Sequence, residues 1–271
     1  MTQTKTLRLG TLGGAATFAG EATRSMRARY PEFGEPTYFP SMEACWAALK
    51  AGEVDVLTLG SERTGQPHHG RQIILNNWYV IGELTQPLGC NLYFTPGAVK
   101  SRIRRISGHG STYQCLAWLE REFPGVPRDL HGLNSLAAGR EALAGDGTTA
   151  VVGTRSLPGT LPDLQLFAQD IDAGALSSWW AISDKPVFSE RPRQLIVVGK
   201  FGADGGLGDL IAAVSGKGFR LTTTAAFPVE EGISIYDYLL NFAGAGELAV
   251  IKRLLSAFPG TRLAAAFEPR K

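Results

Sequence analysis

Apolar residues along this chain fall into two alternating arrangements. Short runs rich in β-branched and aliphatic residues suit strands, and longer stretches with apolar positions three and four apart suit helices. Residues 7–9 form a short strand that runs into the glycine-rich turn Gly10-Thr11-Leu12-Gly13-Gly14, and 15–29 follow as a helix. Residues 37–39 are a second strand. Ser41 is an N-cap for a helix carrying Ala44, Trp46, Ala47 and Leu49, which stops at Gly52. The apolar run 54–59 is a third strand. Strand–helix–strand–helix–strand within about fifty residues is the signature of a parallel sheet.

The pattern repeats. Residues 73–79 and 89–94 are expected as strands, with 80–88 crossing between two lobes. Residues 103–107 are a strand and Ser111 caps a helix over 112–122. A strand at 130–133, a helix at 137–143 and a strand at 148–152 complete a second set. Residues 164–167 are a strand, and 179–182 another that crosses back to the first lobe. Two α/β lobes joined by two crossings put a binding cleft between their strand-end loops. A different unit follows residues 186–192: strand 194–201, helix 206–214, strands 219–225 and 233–239, helix 247–258 and strand 262–267. This βαββαβ order is ferredoxin-like. The fold class is therefore α/β, a two-lobed module followed by a ferredoxin-like domain.

Composition narrows the function classes. The 271 residues suit more than one domain, and 44% hydrophobic with 19% charged is ordinary for a globular enzyme. A formal net charge of +2 gives no reason to expect nucleic acid. The basic run Lys100, Arg102, Arg104 and Arg105 has no interleaved aromatics and is expected as a solvated face. Cys45, Cys90 and Cys115 are odd in number and far apart, which argues against a disulfide framework and for buried thiols in a reducing cytoplasm. No signal core or apolar run long enough to span a membrane is present, so no membrane partner is expected. GxGxxG, GxxxxGK[ST], GxSxG and HExxH are absent. His68 and His69, adjacent on an expected strand, would face opposite ways, so neither metal nor cofactor is expected.

What remains is a set of loops rich in Gly, Ser, Thr and Asn at strand ends: 13–17, 60–65, 108–111, 134–136 and 177–179. Such loops bind carboxylates through backbone N–H groups and hydroxyls. Five of them on two lobes facing one cleft favour a small anion with more than one carboxylate.

These segments resemble the prephenate dehydratase family. Leu9-Gly10 with Gly13, Gly14, Thr17 and Phe18 is similar to the family's LGPxGTFS opening, with residues inserted. ALKAGEVDVLTLGSERT over 48–64 is similar to AVxxGEADYGVVPIENS. Residues 107–119, with His109, Gln114 and Cys115, resemble SHPQALAQC. Residues 133–140 resemble the segment around STAxAA, and Gln169-Asp170 the QD before the family's Thr-Arg-Phe motif. The series runs in order over about residues 7–183, and an ACT-like domain, as in many family members, fits the remainder. The resemblance implies a catalytic module over 1–188, with one lobe from 1–84 and 178–188 and the other from 85–177, then an ACT-like domain over 193–271. It also implies a homodimer, a cytoplasmic location and a small cyclic carboxylate as substrate, with no nucleic acid or membrane partner.

The departures carry the functional reading. In the family the Thr of Thr-Arg-Phe acts as acid on the departing ring hydroxyl, and the Arg fixes a carboxylate. Here Ser177-Ser178-Trp179-Trp180 stands there, with Ser177 at the Thr place, Ser178 at the Arg place and Trp179 at the Phe place. Ser-Trp for Arg-Phe is similar to prephenate decarboxylases, which make non-aromatic products. Arg63 stands at the Asn of Pro-Ile-Glu-Asn-Ser and is a candidate replacement cation. The resemblance thus implies Ser177, Ser178 and His109 as catalytic residues. It implies Thr17, Glu62, Arg63, Thr64, Ser111, Ser135 and Trp179 as substrate-binding residues. The ACT signatures GALxxxL and ESRP have become Gly205-Gly206-Leu207-Gly208 and Thr224-Ala225-Ala226-Phe227-Pro228, so feedback by phenylalanine is not expected. The expected function is a lyase on prephenate or a close relative, decarboxylating with or without dehydration, in secondary metabolism. The alternative is an inactive small-acid binding or regulatory protein, since the two-lobed fold also resembles periplasmic binding proteins.

Overall fold

The structure, a computed structural model, describes residues 6–62, 68–130, 134–202, 206–229 and 235–270. The chain runs through β1 (Leu7–Leu12), α1 (Phe18–Arg29), β2 (Phe33–Phe39), α2 (Met42–Lys50), β3 (Val56–Glu62), α3 (His68–Leu75) and β4 (Tyr79–Pro87). It crosses into β5 (Asn91–Phe94), β6 (Arg105–Ser107), α4 (Leu116–Glu122), β7 (Arg128–Asp129), α5 (Ser135–Ala144), β8 (Thr149–Gly153) and β9 (Gln165–Ala168). It then returns as β10 (Leu176–Ser183). The first sheet has the order β2-β1-β3-β10-β4 and the second β7-β6-β8-β5-β9. β1 lies parallel to β2 and β3, and the returning β10 is antiparallel to β3 and β4.

Local chemistry explains the element boundaries. Thr17 caps α1 by accepting the Gly20 N–H (3.1 Å), and Ser41 caps α2 by accepting that of Ala44 (3.2 Å). Gly52, at φ +69°, ends the α2 segment in a conformation that side chains disfavour. Four expectations differ from the structure. The strand expected at 73–79 is the end of helix α3. Ile73 is buried while Leu75 is 60% exposed, and an apolar run of three residues cannot separate a period of 2 from one of 3.6. Residues 80–88 are mostly β4, an edge strand, which confines the crossing to 88–90. The helix expected at 112–122 opens as a 3₁₀ segment, Gly110–Cys115, and becomes α-helical only at Leu116. The strand expected at 130–133 is β7, at Arg128–Asp129, and 131–133 lie outside the described residues.

Alternation along β10 divides the interior. Trp179 joins a core that includes Leu9, Phe18 and Met26 of the first lobe and Leu92, Ile106, Leu119 and Val152 of the second. Trp180 points to the other face, among Cys45, Leu49 and Ile73. That second core continues into the last unit: β11 (Gln194–Phe201), α6 (Gly206–Ser215), β12 (Phe219–Pro228), β13 (Tyr236–Gly244), α7 (Leu248–Leu255) and β14 (Thr261–Phe267). Its sheet, β12-β13-β11-β14, is antiparallel throughout, the ferredoxin-like arrangement. Leu195 and Val197 of β11 face helices α6 and α7, while Ile196 and Val198 pack against the first lobe. Burial of this kind gives about 25 cal/mol per Å² of apolar surface, so the last unit and the first lobe hold together strongly.

Arg262 pins this junction. Its guanidinium donates to the carbonyls of Ile73 (2.7 Å) and Trp78 (3.2 Å) at the end of α3 and lies over the Tyr79 ring at 5.3 Å. Burial lowers its pKa from the ordinary arginine value. A cation on the carbonyl end of a helix is favourable by charge and by hydrogen bonding. Arg270 likewise pairs with Glu32 (2.7 Å) and stacks on Tyr30 (4.3 Å). Replacing Arg262 by Met should cost about 2 kcal/mol, the scale of lost hydrogen bonds to a charged group. Urea unfolding checks this, and a loss below about 0.5 kcal/mol would show that the contacts carry no net stability.

Candidate active site

The two lobes are held in contact where β1 ends. Ala16, in the turn before α1, is buried in the second lobe's cluster of Tyr93, Ala138, Val151 and Leu157. The Thr154 hydroxyl donates to the Ala16 carbonyl (3.0 Å), and the Ser156 N–H donates to the Glu21 carboxylate (2.7 Å). At the crossings, buried Asp172 accepts the N–H groups of Gly89 and Cys90, both at 3.2 Å. The start of α1 and the end of β8 therefore form one fixed contact between the lobes.

Ser177 and Ser178 sit at the beginning of β10, between β3 and β4. The Ser177 hydroxyl accepts the indole N–H of Trp179 (2.9 Å) and donates to the Gln86 carbonyl at 3.4 Å. Ser178 faces the other way and bonds the Thr85 hydroxyl (3.1 Å). Its backbone pairs with Glu62 across a bulge, which brings the ends of β3 and β10 together. Trp179 is only 3% exposed, with its ring against Gly60, so it forms the floor under Ser177. Thr17 stands at the cleft, but its hydroxyl is occupied in the cap, donating to the Gly14 carbonyl (2.7 Å) and accepting from Gly20. His109 lies in the turn after β6, partly buried, and its carbonyl accepts from Thr112 (2.9 Å). Ser135 opens α5 behind the N-cap Asn134 and is 2% exposed, beside Gly153. Arg63 and Thr64 lie outside the described residues, as do the side chains of Glu62 and Ser111.

Five buried hydroxyls have no hydrogen-bond partner among the described residues: Thr58 and Ser61 on β3, Thr95 after β5, Ser107 at the end of β6, and Ser135 at the start of α5; Ser61, Ser107 and Ser135 lie in or beside the segments singled out above. The amide oxygen of Gln114 is in the same condition. Buried polar groups are normally satisfied, so an unsatisfied set on both lobes is expected where a polar ligand completes the bonding. Ser61 lies within the 60–65 segment, whereas Ser107 falls just before the 108–111 segment; their common signal is position, a serine within the last two residues of a strand.

Other chemistries find little support. A hydrogen bond with the neighbouring Cys115 sulfur, and then burial, push the Cys90 thiol up, and burial pushes Cys45 up to about 11. Neither is a thiolate near neutrality. Among the described residues, no group of three His, Cys, Asp or Glu is placed to hold a metal. His68 and His69 begin helix α3 rather than lying on a strand. The basic run is solvated as expected: Lys100 pairs with Glu122 (3.0 Å), and Arg105 pairs with Glu141.

The Trp179–Ser177 bond can be tested separately from activity. Ser177→Ala leaves a buried indole N–H unpaired and should cost about 1–3 kcal/mol. Trp179→Phe in the same chain should remove most of that penalty. Denaturant unfolding of the four members of the cycle checks it; additive effects would mean that the bond contributes nothing.

The prephenate dehydratase family model matches residues 9–185. A search of curated proteins by sequence finds no match. Among solved structures, prephenate dehydratase from Arthrobacter aurescens in complex with L-Phe superposes with a TM-score of 0.79 at 21% identity, covering 98% of this chain and 92% of that one. Prephenate dehydratase from Staphylococcus aureus subsp. aureus Mu50 gives 0.76 at 14% identity, covering 97% and 100%. GqqA, described as a novel type of quorum quenching acylase, gives 0.79 at 16% identity, covering 97% and 98%. At these identities the superpositions speak for the shared fold. The family match covers more than half of the 271 residues, and the chain belongs to the prephenate dehydratase family.

Proposed function

We propose that the chain is a lyase acting on prephenate or a closely related cyclic dicarboxylate, expelling CO2 from a quaternary ring carbon. The observation that carries the reading is the state of Ser177. Its oxygen accepts a hydrogen bond from the Trp179 indole, which makes the hydroxyl a better acid. Its proton rests on the Gln86 carbonyl at a long 3.4 Å, a bond readily exchanged for a substrate oxygen. When the carbon–carboxylate bond breaks, its electron pair moves into the ring. If Ser177 protonates the departing ring hydroxyl, water leaves and the ring becomes aromatic. Without that proton the pair must be quenched at carbon and the hydroxyl stays. Ser178 bonds Thr85 and puts no cation at the family's Arg place, a departure that we read as a place in secondary metabolism, while the Ser177 hydroxyl keeps the loss of water open.

Thr17, His109 and Ser135, with Glu62, Arg63, Thr64 and Ser111, are proposed to line the substrate beside Ser177, with Trp179 beneath; Ser178, expected as a catalytic residue, lies on the other face of β10 and is left outside this set. Loop N–H groups and Arg63 would hold the carboxylates. An acyl-transfer reading, prompted by the likeness to GqqA, is weaker. The Ser177 hydroxyl contacts an indole and a carbonyl rather than a general base. A protein that binds a small acid without turning it over is the other alternative.

The divisions proposed are 1–84 with 178–188, 85–177, and 193–271. We read the last unit as an ACT-like domain. Ala225 and Phe227 of β12 pack into the core shared with the first lobe, which leaves them unavailable to an amino acid. Dimerisation through this domain is proposed, and sedimentation should give twice the mass of one chain; a monomer at micromolar concentration would remove it.

The test of the lyase reading is prephenate consumption by wild type and Ser177→Ala. Wild type should exceed the spontaneous rate, and the variant should lose about 10²–10⁴-fold in formation of aromatic product, the usual contribution of a positioned acid. Equal rates for wild type and variant would remove Ser177 from the chemistry. Turnover by neither would favour the binding alternative.

A further inference from the structure

A pocket of about 440 Å³ opens on the flank of the contact between the lobes, lined by Glu21, Arg24 and Ser25 of α1, Leu88 at the crossing, and Arg155 and Ser156 after β8. We infer that this pocket binds a small zwitterion, an α-amino acid, and that its occupant bridges the two lobes at the hinge.

The charges in it are unlike those of an ordinary surface groove. Arg24 donates to the Ala15 carbonyl (2.6 Å) and has no carboxylate partner among the described residues. A guanidinium carries five donors in a planar fork, so most of it remains for a ligand carboxylate. Glu21, one turn earlier on the same helix face, uses one oxygen to accept the Ser156 N–H (2.7 Å) and keeps the other. Arg155 is held differently. It pairs with Asp170 (2.6 Å), which raises its pKa, and it lies flat across Gly89, where an added Cβ would come within 2.9 Å of its Nε. Arg155 is therefore a fixed wall rather than a free cation. The pocket thus offers one uncommitted cation and one half-committed anion three residues apart, with the Ser25 and Ser156 side chains beside them. That pair matches a carboxylate and an ammonium on one small molecule. A simple anion would meet Glu21, and a simple amine would meet Arg24.

The position gives binding a consequence. Glu21 and Arg24 belong to the first lobe, Arg155 and Ser156 to the second, and the Glu21–Ser156 bond already ties them. The Gln86 carbonyl, which accepts from Ser177, belongs to a residue that lines the same pocket. An occupant would favour the lobe arrangement seen here, by its differential affinity for it. The inference does not rest on the lyase reading.

Titration calorimetry of the full chain against each of the twenty standard L-amino acids tests it. At least one should bind with a dissociation constant below about 10 mM, and its 2-oxo acid and its decarboxylated amine should bind at least about tenfold more weakly. Glu21→Gln keeps an acceptor for Ser156 and removes only the charge. It and Arg24→Gln should each weaken binding at least about tenfold while circular dichroism stays unchanged. No binding by any of the twenty would overturn the site. So would binding that both variants leave intact, which would place the amino acid elsewhere, such as on the C-terminal unit.

Discussion

The architecture depends on a small insertion: the turn before α1, carrying Ala16, is buried in the core of the other lobe. A methyl side chain among Tyr93, Val151 and Leu157, backed by the Thr154 hydroxyl on its carbonyl, fixes where the glycine-rich turn ends and the helix begins. Alanine is small enough to enter a packed interior without displacing it. The bond from Ser156 to Glu21 adds a second tie one turn further on. With that wall fixed, the ends of β3, β6 and β10 have only one space to face, and the unsatisfied hydroxyls of Ser61, Ser107 and Ser135 lie on those ends or beside them.

The opposite side of the first lobe is equally constrained. Trp180, Ile73 and the outer face of β11 share one core, and Arg262 closes the end of α3. The first lobe and the C-terminal sheet therefore behave as one packed body, and the second lobe joins it through the crossings, the Ala16 turn and a shared core.

Much of this was legible in the sequence because the signals were local. Ser41 and Gly52 mark the limits of a helix. β11 was read to the residue because an eight-residue apolar strand between polar flanks has no competing interpretation. The segment 73–88 was misread because Ile73, Ile74 and Leu75 are too few to distinguish a helix from a strand. Which one forms depends on the C-terminal sheet packing over α3, a contact made by residues far away in sequence. The site divides in the same way. Ser177, Ser178 and Trp179 are candidate site residues by resemblance alone, and that Trp179 turns its N–H back onto Ser177 is a matter of rotamer and register. That Thr17 uses its hydroxyl in a cap, and that Glu21 and Arg24 share a pocket with Arg155, are likewise tertiary facts.

By resemblance Trp179 stands at the place of a phenylalanine in the family, and its indole changes what the neighbouring Ser177 hydroxyl can do. A phenyl ring would leave the neighbouring hydroxyl alone, whereas the indole donates to it and sets its direction. The central claim is that this hydroxyl serves a lyase that removes CO2 from a cyclic dicarboxylate. Mass spectrometry of products after incubating the purified protein with prephenate tests it most directly. Products that have lost CO2, with or without water, should appear faster than in a protein-free control. Prephenate recovered intact at the spontaneous rate would contradict it.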